Sequence, residues 1–449
     1  MRFKKTVLAW LEQVLNERFG NSFILQQQND TLIMYLPFAA GGIVFDTLQP
    51  EFHKSSSDMP CCWWDAISEG WLPSLGSPLP VPALVDSLVP LVERIKGNFI
   101  VHYDILGLTY WMMSRLEEVG RTDLDAHGRF PAISSHAYKY GYLERPIVDE
   151  WLGILGQVIQ RQWPTIKLKQ HSFTMKLSHD VDSPSQYGFH SQVGLARVVG
   201  GNIFKRHLFS SFVTGPIAWI KNRNEFSKLD PYNTFDWIMD ISEKNNLISA
   251  FYFICGRTDT DKDAKYELEH PAVRSLMRRI HARGHEIGLH PSYNTYQHPD
   301  RISQEANRLK AVCVEENIEQ SKWGGRMHYL RWEHPTTLYG WEQADMSYDS
   351  TLGYADRPGF RCGTCFEYPA FEPKKQEILK LRIRPLVVME CTVMDSRYMG
   401  LGVSDGALKK FMRLKQVCRA VDGNFTLLWH NTSLTTKQKR LLYEEIVSS

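Results

Sequence analysis

Hydrophobic positions divide the chain into two regions with different rhythms. Near the start, Leu8, Leu11, Val14 and Leu15 share one face of a helix. Two short alternating runs, Thr31-Leu-Ile-Met-Tyr-Leu and Gly42-Ile-Val-Phe, read as strands. The Pro- and Gly-containing stretch from Leu72 to Pro82 breaks the pattern before a helix expected over 82–95. Apolar residues then recur at threes and fours from Ile105 to Glu118. The polar stretch Arg121 to Arg129 follows, and Val148 to Ile159 predicts a further helix. Residues 1–165 are therefore expected to form a smaller α+β accessory domain that packs, docks or shapes a substrate. His53, His102, Asp104 and Arg145 assemble there into no recognisable constellation.

From about residue 170 the rhythm becomes strand, helix, strand, helix. Strands are expected near 173–178, 249–254, 285–289, 322–326, 345–348, 385–390 and 425–429. Helical periods fall at 234–246, 271–283, 301–318, 405–421 and 437–447. Such alternation predicts an α/β fold, a parallel sheet wrapped by helices. Roughly seven units fit a closed or nearly closed barrel better than an open sheet, with a doubly wound sheet as the alternative.

Composition narrows the function classes. The 449 residues exceed one average domain, and 43% apolar content is enough for real cores. A formal charge of +2 gives no electrostatic case for nucleic acid or an anionic membrane. No window approaches a transmembrane span, and the basic start is interrupted by Glu12, Asn16, Glu17 and Arg18 too early for a secretory signal. The eight cysteines show no disulfide-framework spacing, so reduced thiols and a cytoplasmic location are expected.

Candidate chemistry gathers where a barrel would place it, at the carboxyl ends of the strands. The first strand runs Phe173-Thr-Met-Lys-Leu-Ser and ends in His179, Asp180, Asp182 and Pro184. Asp180 and Asp182 are two apart, so an extended chain projects both carboxylates to one side, where a cation or shared proton must offset their repulsion. Later strands end at Cys255-Gly256, His290, Arg326/His328, Asp349, Glu390 and His430-Asn431. His285-Glu-Ile-Gly-Leu-His290 superficially resembles a zinc-protease helix, but its histidines are five apart rather than four and Gly284 and Gly288 disfavour a helix. On a strand they lie about 16–17 Å apart, which sends His285 to the far end as a structural residue. Cys362-Gly-Thr-Cys365 has no second pair and reads as a packed loop.

These strand ends resemble the polysaccharide deacetylase (NodB-type) superfamily, metal-dependent hydrolases that remove N- or O-acetyl groups from carbohydrates. The resemblance covers about 173–435. Ser178-His-Asp-Val-Asp-Ser-Pro184 corresponds to that family's Thr-Phe-Asp-Asp-Gly motif with one extra residue between the carboxylates. Gly284-His-Glu-Ile-Gly-Leu-His290-Pro-Ser-Tyr-Asn294 resembles its second motif, with Asn294 at the last histidine. Arg326-Met-His-Tyr329 resembles Arg-x-Pro-Tyr, and Leu427-Leu-Trp-His430 the final Leu-x-x-His. The chain is more similar still to an uncharacterised bacterial subgroup with His-Asp-Val-Asp, Leu-His-Pro-Ser-Tyr and a preceding N-terminal region. By analogy this implies partners in surface-polysaccharide synthesis. The resemblance implies a distorted (β/α)7 barrel over residues 173–449.

The residue types support a mechanism of that kind. Asp182 and His290 are expected to bind a divalent cation, most simply zinc. Asn294 is a poorer third ligand than imidazole, with His179 and Glu390 as alternatives and His179 preferred. Asp180 is the expected base, His430 the acid for the leaving amine or hydroxyl, and Arg326 a partner for Asp180 or a clamp on a substrate anion. Tyr329, Tyr293, Trp332 and Asp349 are the expected substrate contacts. The substrate is expected to be a carbohydrate or glycan precursor, with no nucleic acid involved. Two other readings remain open: a barrel that has lost catalysis and binds a glycan or scaffolds a complex, and a hydrolase of another non-peptide C–N bond such as a formamide or ureide.

Overall fold

A computed structural model describes residues 3–86 and 90–449. The second region is built on one sheet of nine strands: β1 (Thr174–Val181), β2 (Ser249–Ile254), β3 (Glu286–His290), β4 (Gly324–Gly325), β5 (Tyr348–Asp349), β6 (Tyr368–Glu372), β7 (Glu377–Ile383), β8 (Val388–Met389) and β9 (Asn424–Leu428). Its order is β6-β7-β5-β4-β3-β2-β1-β9-β8. Every neighbouring pair is parallel except β6–β7. Ladder hydrogen bonds do not close the sheet, so among the described residues β6 and β8 are its edges and closure of the expected closed or nearly closed barrel is not shown. The sheet nevertheless curves, since Leu386 N, just before β8, donates to Leu352 O, just past β5, at 3.1 Å.

All seven strands expected in this region from alternation or continuous apolar runs lie within a few residues of observed ones. Those near 322–326, 345–348 and 385–390 are only two residues long, because loops take over the hydrogen bonding soon after each strand enters the sheet. Two features stand outside the expected pattern. The β6–β7 hairpin carries an antiparallel edge, and a pair of helices, α1 (Gln192–Arg206) and α2 (Ser211–Lys221), is inserted between β1 and the helix Phe235–Lys244.

In the first region a five-stranded sheet joins Ile24–Gln28, Thr31–Tyr35, Ile43–Phe45, Asn98–Val101 and Val92–Ile95 in that order. The helices Lys5–Phe19 and Ile147–Gln162 pack on it, and Ile105–Met113 packs against both of them. The helix expected over 82–95 is not formed: Leu79–Pro82 and Val92–Ile95 are strands, and residues 87–89 of that expectation lie outside the described residues. Pro80 and Pro82, which cannot donate from inside a helix, fit the two-stranded ribbon with Cys61–Trp64 instead.

One apolar core runs through both regions, from Phe3 and Trp10 to Tyr443 and Val447. Trp10 crosses between them, its indole N–H donating to Pro369 O on β6 at 2.9 Å and its ring packing on Phe371 at 5.1 Å. The Cys362–Cys365 loop is packed as expected. Asp149 of the helix Ile147–Gln162 accepts from Thr364 Oγ1 at 2.8 Å and from Cys365 N at 2.9 Å, and all eight cysteines are free.

Candidate metal centre and active site

Four strand ends deliver their polar side chains to one cleft of about 190 Å³, lined by Asp180, Asp182, His290, His328, Tyr329 and His430 among others. Asp180 is the penultimate residue of β1, and Asp182 follows its last residue. His290 ends β3, His328 follows β4 and His430 follows β9. Because β4, β3, β2, β1 and β9 are adjacent and parallel, their carboxyl ends lie along one rim.

The centre of the cluster is Asp182. Its Oδ1 is buried without a hydrogen-bond partner, 3.3 Å from His290 Nε2 and 3.7 Å from His328 Nε2. Each imidazole is fixed from behind. His290 Nδ1 meets Arg326 O at 2.6 Å, and His328 Nδ1 meets Asp263 Oδ1 at 3.0 Å. Both acceptors require N–H at Nδ1, so the two Nε2 atoms present lone pairs to the same carboxylate oxygen when the rings are neutral. Facing lone pairs on three ligand atoms are stable only around a proton or a cation. Without a metal, protons fill this role. Burial would raise the Asp182 pKa, but His290 directly beside it and the charges of His328 and His430 outweigh it and hold the carboxyl well below its usual range. Burial disfavours charge on His290, yet Asp180 and Asp182 raise its pKa. Asp182 Oδ1, His290 Nε2 and His328 Nε2 thus form a compact group able to hold a metal ion, and their nitrogen and oxygen donors fit zinc.

Asp180 and His430 flank this group. Asp180 Oδ1 pairs with Arg326 at 2.8 Å, and its Oδ2 lies 3.7 Å from His290 Nε2. Arg326 is fully buried and also donates to Ser350 O at 3.0 Å, Ser178 Oγ at 2.9 Å and Ser350 Oγ at 3.1 Å. It is therefore a positioning group for Asp180, buried and not among the residues that line the cleft. His430 Nδ1 bonds Glu390 Oε1 at 2.7 Å, which directs Nε2 into the cleft, 3.7 Å from Asp182 Oδ2. Burial opposes charge on His430, but Glu390 and Cys391 raise its pKa well above the ordinary histidine value. Glu390 is lowered in turn, burial being outweighed by His430.

Several expected site residues lie elsewhere. His179 is buried behind β1, with Nδ1 on Trp429 O at 2.7 Å and Nε2 on Ser249 Oγ at 3.1 Å, so neither nitrogen is available to a metal. The strand has no bulge to turn it inward and pairs regularly with β2 through Val181. Asn294 also leaves the ligand set: its Nδ2 donates to Thr258 O at 3.1 Å and its Oδ1 accepts from Arg331 at 3.0 Å. Asp349 is fully buried below the cleft, where burial raises its carboxyl to about 6 against two hydrogen bonds from Thr351. Trp332 packs on His334 at 4.4 Å, away from the cleft, and Tyr293 stands behind Tyr329 at 5.1 Å, its hydroxyl on His127 Nδ1 at 2.9 Å. Of the four expected substrate contacts, only Tyr329 lines the cleft.

Sequence reasoning missed His328 as a ligand and Arg129, Lys262, Arg397 and Tyr398 as cleft walls. Arg129 comes from the first region and donates to Tyr329 O at 2.8 Å, so that region helps to shape the cleft.

A family model described as "Family of unknown function (DUF7033)" matches residues 39–164. No curated protein matches significantly. Among solved structures, the chain is similar to a protein titled as a polysaccharide deacetylase from Mycobacterium smegmatis, with 15% identity, TM-score 0.40, and coverage of 62% of this chain and 84% of that one. A polysaccharide deacetylase from Pseudomonas aeruginosa PAO1 gives 14% identity, TM-score 0.34, and 62% and 84% coverage. Puue allantoinase gives 12% identity, TM-score 0.35, and 62% and 83% coverage.

Proposed function

We propose that the protein is a metal-dependent hydrolase that removes an acyl group, N- or O-acetyl, from a carbohydrate or glycan precursor. The observation that carries this reading is the unpartnered, buried Asp182 Oδ1 facing two oriented imidazoles, with Asp180–Arg326 on one flank and His430–Glu390 on the other. A divalent cation held by Asp182, His290 and His328 supplies Lewis acidity toward a carbonyl and toward water. Asp180, oriented by Arg326, accepts the proton of the attacking water. His430, kept protonated by Glu390, gives a proton to the leaving nitrogen or oxygen. Tyr329 forms the adjoining wall. The reading of an inactive glycan-binding barrel rested on Asn294, and it loses that support because Asn294 belongs to a different hydrogen-bond network.

The test is metal content of tag-free protein together with turnover of acylated sugars. Stoichiometric metal and turnover are expected. Asp180→Asn should abolish turnover with metal retained. His430→Ala should slow amides and unactivated esters far more than an activated ester, which barely needs an acid. Equal losses on both substrates would remove His430 from the acid role, and no turnover with any added metal would favour a binding protein.

A further inference from the structure

The helical hairpin between β1 and the rest of the sheet carries apolar surface on its outer side as well as on its inner one. Its inner face is a small separate core of Tyr187, Leu195, Val199 and Ala218. Gly215 lets the helices approach closely, since a Cβ there would lie 2.7 Å from Val199 Cγ2. The base is pinned by Asp230, which accepts from Ser185 Oγ at 2.5 Å, Gln186 N at 2.9 Å and Asn222 Nδ2 at 2.9 Å. The hairpin is therefore a built element with a defined inner face.

The outer face of α2 is Phe212, Val213, Pro216, Ile217 and Ile220, all exposed and, at 3.6 residues per turn, within an arc of about 140°. Phe204, Leu208 and Phe209 continue this surface over the tip. Phe204 is 81% exposed, Phe209 70% and Phe212 71%. No acidic residue occurs between Ser191 and Asn224, whereas Arg197, Lys205, Arg206, Lys221 and Arg223 do. A protein partner or second copy needs only apolar complementarity. An apolar face in a segment with only positive charge matches the acyl boundary and headgroups of an anionic bilayer. A second observation ties the hairpin to the site: a cavity of about 440 Å³ begins at Asp182 and Lys262 and runs under α1, lined there by Val198, Gly201, Asn202 and Lys205.

We propose that the α1–α2 hairpin is a membrane-interface element, seating the protein on an anionic lipid surface with the Asp182 cavity opening beside it. This is binding to a surface, not insertion, as no helix among the described residues is long and apolar enough to cross a membrane. It does not depend on the hydrolase reading, because it is measured without turnover.

The experiment is co-sedimentation of the full chain with vesicles of mixed phosphatidylglycerol and phosphatidylcholine, against vesicles of phosphatidylcholine alone. Wild type is expected to sediment with the anionic vesicles, less so at high salt. Phe209→Ser with Phe212→Ser, and separately Arg197→Glu with Lys221→Glu, should each lower partitioning by about tenfold or more. Hydrogen exchange of the wild type, which needs no variant, should show vesicle-dependent protection centred on residues 203–221. Wild type remaining in the supernatant, variants that sediment like wild type, or protection elsewhere would each overturn the proposal. So would self-association without vesicles that the phenylalanine substitutions abolish, which would assign the face to a second copy.

Discussion

His328 decides whether Asp182 and His290 have a third ligand, and it was hidden at the residue level by its neighbours. The motif that Arg326-Met-His-Tyr329 resembles has proline at the position of His328, so the sequence drew attention to the flanking Arg326 and Tyr329. The turn that aims His328 inward is a backbone event: Tyr329 and Leu330 both take left-handed conformations, φ 61° and 56°, which non-glycine residues adopt only where the surroundings hold them. Asn294, in contrast, looked like a ligand because it lies four residues beyond His290, and a short 3₁₀ turn instead of a helix directs it to Thr258. His328→Ala is therefore expected to lose stoichiometric metal, Asn294→His to change affinity little, and Asp263→Asn to weaken it by about 10–100-fold because the Nδ1 acceptor loses its charge. Calorimetric metal titration checks all three, and unchanged affinity in His328→Ala would sink the ligand set. The acid side gives a pH prediction. Glu390 raises His430, so the protonated form persists above the usual histidine range. Glu390→Gln should move the alkaline limb of the rate–pH profile to lower pH with metal content intact.

At the scale of elements, strands flanked by helices were legible because apolar runs and alternation report burial directly. This holds for β1, β2, β3 and β9, where both faces or one face meet the core. The α1–α2 hairpin was not legible: it has apolar residues on both faces, so a reading of periodicity as burial cannot single out one side, and the whole-chain charge of +2 averages away its local basic excess. Of the β6–β7 hairpin, β7 alternates exposed and buried residues while β6 is buried throughout, and neither fits a strand–helix unit. His179 shows the limit of reading function from a strand end. It joins β1 to β9 and β2 through Trp429 O and Ser249 Oγ, and burial lowers its imidazole to about 4, below the ordinary 6.5. A folded value below the unfolded one means that protonation favours unfolding. Its contribution is therefore complete above about 6.5 and is lost as pH falls toward 4, on the order of 3 kcal/mol over that window. His179→Ala should cost roughly 2–4 kcal/mol at neutral pH and flatten the loss of stability on acidification. Denaturant unfolding at several pH values checks this, with metal content unchanged.

For the whole molecule, the change of rhythm near residue 165 marks a change of architecture without marking a break in packing. The apolar core is continuous across it, and buried charges cross it as well. Glu118, in the first region, accepts from Arg361 Nε at 2.9 Å and NH2 at 2.5 Å, and from Arg115 at 2.7 Å. Burial works against its charge, but the two guanidinium groups lower its carboxyl to about 2. Arg361 is itself buried and holds Gly353 O at 2.9 Å, close beyond the end of β5. Removing Glu118 would leave two buried guanidinium groups short of a counter-charge, which costs more than the pair contributes when intact. Glu118→Ala is expected to lower stability by roughly 3–5 kcal/mol. Because the core is shared, unfolding of both wild type and variant should remain one transition by calorimetry and by tryptophan fluorescence. If Glu118→Ala instead separated two transitions, with the second-region transition unmoved, the regions would fold independently and the role of Arg129 in the cleft would be that of a docked neighbour, not of a wall built with the site.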